Sequence, residues 1–273
     1  MTGGAAGPRC GGPQVRELEV ARSAALAAGA LLRGHFAAGV RHEWKGRGDL
    51  VTVADRESEG LVREHLAAAF PDDLVVGEEG PPLAEEAVAG RRRWYVDPLD
   101  GTTNFVKGQP RWAVSVAFCD ANDVMAAAAV HMPLTGETLT AAHGQGATRD
   151  GEPLHAPDVE PHEALALLGP LDGLAAEAVP LIARAVLSLR VTGSTVCDLA
   201  DLAAGRGDLY LGVNQGRWDL AAGALIAAEA GISVTGLRGE PLTGPGDAVF
   251  AAGRRVHAAL LPGLRAAAEQ MAR

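Results

Sequence analysis

The stretch Asp97-Pro98-Leu99-Asp100-Gly101-Thr102-Thr103-Asn104-Phe105 follows directly on the apolar triplet Trp94-Tyr95-Val96. A short apolar run bounded by turn residues predicts a buried strand. Asp97 and Asp100 are therefore expected at a strand end, in the loop region where binding residues commonly lie. The Leu99 carbonyl between them is a third oxygen. Mg²⁺ and other hard cations prefer carboxylate and carbonyl oxygens, so the stretch predicts a cation site.

The second part of the stretch, Gly101-Thr102-Thr103, offers backbone N–H groups and hydroxyls. These groups suit a phosphate if a helical turn begins there. The simpler alternative is a turn without chemistry, since Asp-Pro and Asp-Gly are both strong turn formers. The combination of two carboxylates with these donors favours a cation and phosphate site over the plain turn.

Further acidic residues stand at the predicted ends of other elements. Gly77-Glu78-Glu79 ends a strand candidate, and because adjacent strand side chains point opposite ways, one Glu is expected to meet the Asp97/Asp100 cluster while its neighbour supports it. Asp219 opens a long apolar helix and Asp55 opens another. Each also has a simpler interpretation: a solvated acidic loop for the Glu pair, and a helix-capping carboxylate for each Asp.

The hydrophobic periodicity divides the chain into two halves after a Gly- and Pro-rich tail, residues 1–14, that is expected to be disordered. Helices are predicted over 15–36, 55–70, 174–185, 195–204, 218–230 and 254–271. Strands are predicted near 50–53, 74–76, 94–96, 113–119, 124–131, 164–168, 187–192, 208–213, 232–235 and 248–251. Residues 15–150 are rich in antiparallel hairpins and residues 151–273 alternate strand and helix. A layered α/β (α+β) architecture in a single domain, residues 15–273, is therefore expected.

Composition excludes several classes of protein. The formal net charge of −10 lacks the basic surface of a nucleic-acid binder or of a protein that binds anionic membranes. No apolar run reaches the length of a membrane span, and the first residues lack the apolar core of a signal peptide. Three cysteines in a chain of this length do not form a disulfide framework, which favours a reducing compartment and a cytoplasmic location.

Two motifs point to other phosphatase mechanisms. Cys10 to Arg16 matches the C-x5-R loop of cysteine-dependent phosphatases, but no strand precedes it to hold the loop rigid. Leu99 to Thr102 resembles the aspartate loop of haloacid-dehalogenase-type phosphatases, but Pro98 occupies the position of their nucleophilic Asp. Cys119 and Cys197 lie in apolar surroundings and are expected in the core.

Four ordered blocks of sequence together resemble the inositol monophosphatase family of Mg²⁺-dependent, lithium-sensitive phosphatases. The blocks are Asp49–Asp55, Gly77–Glu79, Asp97–Phe105 and Trp218-Asp219, with supporting matches at 108–115 and 193–200. The resemblance covers about residues 15–265. It implies a layered α-β-α-β-α sandwich, usually a homodimer, that hydrolyses a small phosphorylated metabolite with two or three Mg²⁺ ions.

The resemblance also implies a role for each matching residue. The first metal would be held by Glu78, Asp97 and the Leu99 carbonyl, and the second by Asp97, Asp100 and Asp219. Glu78 and Thr102 would orient the attacking water, with Thr102 held by Asp55. Contacts to the substrate would come from Leu99, Asp100, Gly101, Thr102 and Asp219. Supporting positions are Lys45, in a loop that covers the metals, Glu79 and Ser194.

One departure from the family pattern concerns the substrate. Inositol phosphatases usually carry a Glu after the aromatic residue of the strand before Trp-Asp, where it binds sugar hydroxyls, and here that position is Leu211. The identity of the alcohol half therefore stays open. The alternatives are histidinol phosphate, a sugar bisphosphate or a nucleotide 3′-phosphate as substrate, or a catalytically silent member that only binds a phosphorylated metabolite.

Overall fold

The computed structural model describes residues 15–39, 42–46, 49–81, 85–171, 174–242 and 248–271. The tail of residues 1–14 and the side chain of Lys45 lie outside the described residues. The helices are α1 (Val15–Ala38), α2 (Val53–Ala69), α3 (Glu85–Val88), α4 (Thr102–Val106), α5 (Ala175–Ala185), α6 (Thr195–Ala203), α7 (Arg217–Glu229) and α8 (Arg254–Met271).

Twelve of the described strands form two sheets, and the pair β1 (His42–Gly46) and β2 (Asp49–Thr52) forms an antiparallel ribbon. The first sheet has the order of the chain: β3 (Leu74–Gly77), β4 (Arg93–Asp100), β5 (Ala113–Cys119), β6 (Met125–Met132), β7 (Glu137–Ala142), β8 (Ala147–Arg149), β9 (Glu152–Leu154). Its β3–β4 pair is parallel and the others are antiparallel. The second sheet has the order β11 (Ser188–Val191), β10 (Leu165–Leu168), β12 (Leu209–Gly212), β14 (Val249–Ala252), β13 (Ser233–Thr235).

The central strands of each sheet are buried at nearly every residue, because helices cover both faces of each sheet. Helices α1 and α2 pack on one face of the first sheet, around Leu32 and Trp94. Helices α6 and α7 lie between the two sheets, where Tyr95 and Tyr210 belong to the opposing cores. Helices α5 and α8 cover the outer face of the second sheet. This arrangement confirms the expected α-β-α-β-α sandwich. No helix in the described parts of the chain is long and apolar enough to cross a membrane.

Strand β4 extends past its predicted end and contains a β-bulge. Asp97 pairs with Ser115 and Asp100 pairs with Ala113, so three steps along β4 match two steps along β5. In a regular strand, residues three apart point to opposite faces. The extra residue brings Asp97 and Asp100 to the same face, the one that carries Tyr95 and meets α6 and α7.

Helix α2 begins two residues earlier than predicted, because its N-cap residue is Thr52 and the helix starts at Val53. The Thr52 side chain accepts from the amides of Ala54 and Asp55, and Asp55 bonds back to the Thr52 amide, which forms a capping box. The capping interpretation of Asp55 is therefore confirmed. Its second bond, described below, shows that this interpretation is incomplete.

Candidate active site

Three carboxylates converge where β4 meets the first turn of α7. Asp97, Asp100 and Asp219 each offer an oxygen, and these oxygens lie within 4.8 Å of one another. The bulge brings the first two to one face, and α7 supplies the third. Ser115, opposite Asp97, donates from its hydroxyl to the Trp218 carbonyl at 3.1 Å, which ties the start of α7 to the sheet.

The three carboxylates are shielded from solvent and close enough to repel one another when they are ionised. Burial raises the pKa of Asp97 well above its usual range, and the charges of Glu78, Asp100 and Asp219 add to this rise. Burial also raises the pKa of Asp100 to about 7 and raises the pKa of Asp219. Raised acid pKa values mean that the folded state binds more protons than the unfolded state. Without a cation, stability is therefore lost as pH rises from the usual pKa of 3.8 towards about 7.

The donor set fits a hard divalent cation. All three convergent ligands are carboxylates, and the protein holds each of them by hydrogen bonds to one of its two oxygens. Asp219 Oδ2 accepts from the Gly216 amide at 2.8 Å. Asp97 Oδ1 accepts from the Leu99 amide at 3.0 Å. Asp100 Oδ2 accepts from the Ser194 hydroxyl and, at 3.1 Å, from the Val196 amide. Cations bound among these oxygens would offset the mutual repulsion that raises the pKa values.

Asp55 also connects the cap of α2 to the turn after β4. Its Oδ2 accepts from the Thr52 amide at 2.8 Å and from the Thr52 hydroxyl at 2.6 Å. Its Oδ1 accepts from the Thr102 hydroxyl at 3.1 Å, and that hydroxyl also lies 3.0 Å from the Leu99 carbonyl oxygen. Both neighbours are acceptors, so they take the single proton of Thr102 and leave its oxygen lone pairs to accept from a water molecule.

Gly101 is fixed by its conformation and by its surroundings. Its φ of 86° is left-handed, and a Cβ there would lie 2.7 Å from the Arg111 carbonyl oxygen. Helix α4 begins at the next residue, so its first amides have no carbonyl partner within the helix. A turn of this kind presents N–H groups suited to an anion.

The Glu78-Glu79 pair follows β3 directly. Glu78 is half-buried and lies outside the compact group of three carboxylates, but among the charged groups that raise the pKa of Asp97 its contribution is the largest. The Glu79 amide donates to Glu59 at 2.8 Å, and Arg63 pairs with Glu59 at 2.7 Å. Glu59 thus holds this turn. Sequence reasoning missed it, although the Glu59/Arg63 spacing on one helix face is a signal for such a pair.

A ring of polar contacts joins α4 to α6. The sequence motifs did not predict these contacts, which connect residues far apart in the chain. The Arg111 guanidinium donates to Asp198 and to Asp201, each at 2.8 Å. Its carbonyl accepts from Asn104 at 2.7 Å. Asn104 also donates to the Thr192 carbonyl at 2.9 Å, and the Thr192 hydroxyl donates to Asp198 at 2.6 Å. The ring fixes the turn that carries Gly101 against the helix whose cap bonds Asp100.

A cavity of about 410 Å³ opens beside the carboxylates. Its described lining consists of the two carboxylates Asp100 and Asp219 and of uncharged residues from the second sheet, α6 and the loop before α7. These are Leu168, Gly169, Pro170, Val191, Gly193, Ser194, Thr195, Asn214 and Gln215. The volume is in the range of small-molecule sites.

The model of the inositol monophosphatase family matches residues 14–270. The chain belongs to this family. An inositol-1-monophosphatase of Mycobacterium leprae is 40% identical over 220 residues, which are 75% of this chain and 74% of that protein. A fructose-1,6-bisphosphatase/inositol-1-monophosphatase of Thermotoga maritima is 33% identical over 193 residues, 70% of this chain and 73% of that protein. This inositol monophosphatase family member is a phosphoric monoester hydrolase.

The fold agrees with solved structures of the family. The crystal structure of the extragenic suppressor protein suhB from Bartonella henselae matches with a TM-score of 0.83 and 30% sequence identity, covering 90% of this chain and 97% of that chain.

The family member described here has Leu211 fully buried in the core under α5 and α8. Leu211 therefore lies away from the described lining of the cavity.

The cysteines that the structure describes are structural. Cys119 and Cys197 are free and buried, which confirms their expected place in the core. Burial raises the pKa of the Cys119 thiol to about 11 and raises that of Cys197 further. Neither is activated as a nucleophile at neutral pH. Cys10 and its C-x5-R motif lie largely outside the described residues.

Proposed function

We propose that this protein hydrolyses a small-molecule phosphate monoester by direct attack of water, with Mg²⁺ as cofactor. The convergence of Asp97, Asp100 and Asp219 within 4.8 Å, beside a turn suited to a phosphate, is the observation that carries the proposal. These three carboxylates, Glu78 and the Leu99 carbonyl would hold two or three ions. When bound, Mg²⁺ supplies Lewis acidity and neutralises charge on the phosphate and the leaving oxygen.

The chain's own groups supply position and proton transfer. Thr102, whose proton is committed to Asp55 and to the Leu99 carbonyl, accepts a hydrogen bond from the attacking water and orients it. Glu78 accepts the proton that the water loses. The amides of Gly101 and Thr102 hold phosphate oxygens, and Asp100 and Asp219 stand where the alcohol half enters the cavity.

The substrate is an inositol phosphate or a related metabolite, with three alternatives of the same chemistry. A sugar bisphosphate gains support from the name of the Thermotoga maritima relative, while histidinol phosphate and a 3′-phosphonucleotide are further alternatives of the same chemistry. The fourth alternative, a silent, binding-only member, disagrees with the membership of the chain in a family of phosphoric monoester hydrolases. The carboxylates that would hold the metals are all present, which argues against that role.

A phosphate-release screen tests this proposal. The purified protein is incubated with Mg²⁺ and a broad panel of phosphorylated metabolites, and free phosphate is measured. Release from at least one monoester supports the proposal. Calorimetric binding of a metabolite without phosphate release from any member of the panel would instead establish the silent alternative.

We propose a homodimer in the cytoplasm for the working state of the protein. Strand β11 lies at an edge of the second sheet, and Leu187 and Val191 at its ends are 71% and 74% exposed. An exposed edge strand with apolar side chains is a surface that pairing with a second chain would cover. The two buried free thiols, Cys119 and Cys197, fit a reducing compartment.

Replacing one apolar edge residue by a charge is expected to dissociate the dimer. In Leu187→Glu, the carboxylate would have to be buried at the interface without a partner. Light scattering coupled to gel filtration should give twice the mass of one chain for the wild type and the mass of a single chain for the variant. Leu134→Glu, at an exposed residue in the turn after β6, is the matched control and stays dimeric. A monomeric wild type would contradict the proposal.

A further inference from the structure

The cavity beside the carboxylates has a neutral wall opposite Asp100 and Asp219. Those two residues are its only ionisable lining among the residues that the structure describes. The uncharged polar residues of the lining are Ser194, Thr195, Asn214 and Gln215, and the rest of the described lining is apolar or glycine. No described lysine or arginine stands there to hold a second phosphate.

Gln215 is the most constrained of these polar groups. Its side chain is buried, with 5% of the residue exposed, although it lines the cavity. Its Oε1 accepts from the Tyr210 hydroxyl at 3.0 Å, and its Nε2 donates to the Thr195 hydroxyl. The Thr195 and Tyr210 oxygens are themselves 2.9 Å apart. The three side chains therefore form a closed ring of hydrogen bonds.

The ring of hydrogen bonds leaves one hydrogen of the Gln215 amide unused. Tyr210 gives its one proton to the Gln215 carbonyl oxygen, so the bond between the two hydroxyls uses the proton of Thr195. The Gln215 amide carries two hydrogens and the ring uses one. One N–H of an amide that lines the cavity is thus left for a ligand.

Two glycines hold the ring in place. A Cβ at Gly169 or at Gly212 would collide with the Tyr210 hydroxyl. The backbone therefore closes around Tyr210, whose ring cannot move without moving two strand ends. Because Tyr210 and Thr195 are both nearly inaccessible, Gln215 is oriented before any ligand arrives, and an oriented donor binds at a lower entropic cost.

We propose that Gln215 is a specificity-determining residue, whose free amide N–H donates to an acceptor oxygen on a neutral alcohol half. The inference rests on the proposed function. A hydroxyl, ether or carbonyl oxygen satisfies that donor, whereas a second phosphate finds no described cation in the wall.

Three substrates with the Mg²⁺-loaded protein test this assignment. Fructose 1-phosphate has a neutral, oxygen-rich alcohol, fructose 1,6-bisphosphate adds a second phosphate, and phenyl phosphate has no oxygen beyond its ester. The wild type should give a higher kcat/KM with fructose 1-phosphate than with the bisphosphate. Gln215→Leu should raise KM for fructose 1-phosphate about tenfold, the upper end for one lost hydrogen bond, and leave kcat and the phenyl phosphate kinetics unchanged.

Gln215→Met keeps the length and the neutrality of the side chain, retains a weak acceptor in its thioether sulfur and removes the N–H donor. It should show the same selective rise in KM, and it carries the test if Gln215→Leu does not fold. Gln270→Leu, an exposed position on α8, is the matched control. An equal loss on fructose 1-phosphate and phenyl phosphate, no loss on either, or a wild-type preference for the bisphosphate would overturn the assignment. Release from other members of the screening panel but from none of the three would also overturn the assignment, whereas release from no compound at all would mean that the proposed function fails.

Discussion

The Asp97→Asn variant is expected to lose about a thousandfold in kcat for phosphate release, which is roughly 4 kcal/mol of transition-state stabilisation. Asp97 is 1% exposed and lies in the centre of the carboxylate group. Asn keeps an oxygen that can accept from the Leu99 amide, so the local backbone is preserved. Only the charge that a divalent cation requires is removed. Steady-state phosphate release at saturating Mg²⁺ measures the loss.

Thermal unfolding gives an independent readout of the same variant. The charge of Asp97 is costly without a cation, because burial and its acidic neighbours raise its pKa well above the usual range. At neutral pH without Mg²⁺, Asp97→Asn should therefore melt at a higher temperature than the wild type, and added Mg²⁺ should raise its Tm less. Asp208→Asn is the matched control, since Asp208 lies outside the carboxylate group and its side chain accepts from the Leu165 amide, a bond that the Asn oxygen can keep. Near-normal kcat in Asp97→Asn would refute its assignment as a metal ligand.

The Thr102→Val variant is expected to lower kcat about a hundredfold, the lower end for loss of a group that assists proton transfer, with little change in KM. The substitution keeps the branched shape and removes the hydroxyl that bonds Asp55 and the Leu99 carbonyl. Asp55 retains both bonds from Thr52, so helix α2 keeps its cap. Initial rates over a range of substrate concentrations separate kcat from KM.

Two further variants distinguish chemistry from packing at this position. Thr102→Ser retains the hydroxyl and should recover most of the lost kcat. Thr103→Val, at the exposed neighbouring position in α4, should behave as the wild type. If Thr102→Ser is as impaired as Thr102→Val, the methyl group rather than the hydroxyl is what matters, and the orienting role is wrong.

Local pattern predicted most of the fold. Helices α1, α6 and α8 and strands β5, β6 and β12 lie within a few residues of their predicted bounds, because each forms a distinct apolar or amphipathic run in the sequence. Strand β4, which continues to Asp100, is the informative exception. Its bulge depends on pairing with Ala113 and Ser115, which lie more than ten residues away, and no local pattern encodes that register.

The residues of the candidate site also differ in how far the sequence predicts them. Asp97, Asp100 and Thr102 occupy one short motif, so the sequence predicts that they lie close together. The Arg111–Asp198 pair and the ring of Tyr210, Gln215 and Thr195 join residues from separate elements. Each of these side chains has an ordinary interpretation alone, as a surface charge or a core polar group. Only the packing of α6 between the two sheets reveals the contacts.

Removal and return of Mg²⁺ is the measurement that tests the central claim most directly. The best substrate from the screen is used with the wild-type protein, first with excess chelator and then after Mg²⁺ is restored. We predict that phosphate release stops with chelator, returns with Mg²⁺ alone, and is unaffected by Cys10→Ser. Turnover that resists the chelator and is abolished by Cys10→Ser would contradict the metal mechanism and establish a cysteine nucleophile in its place.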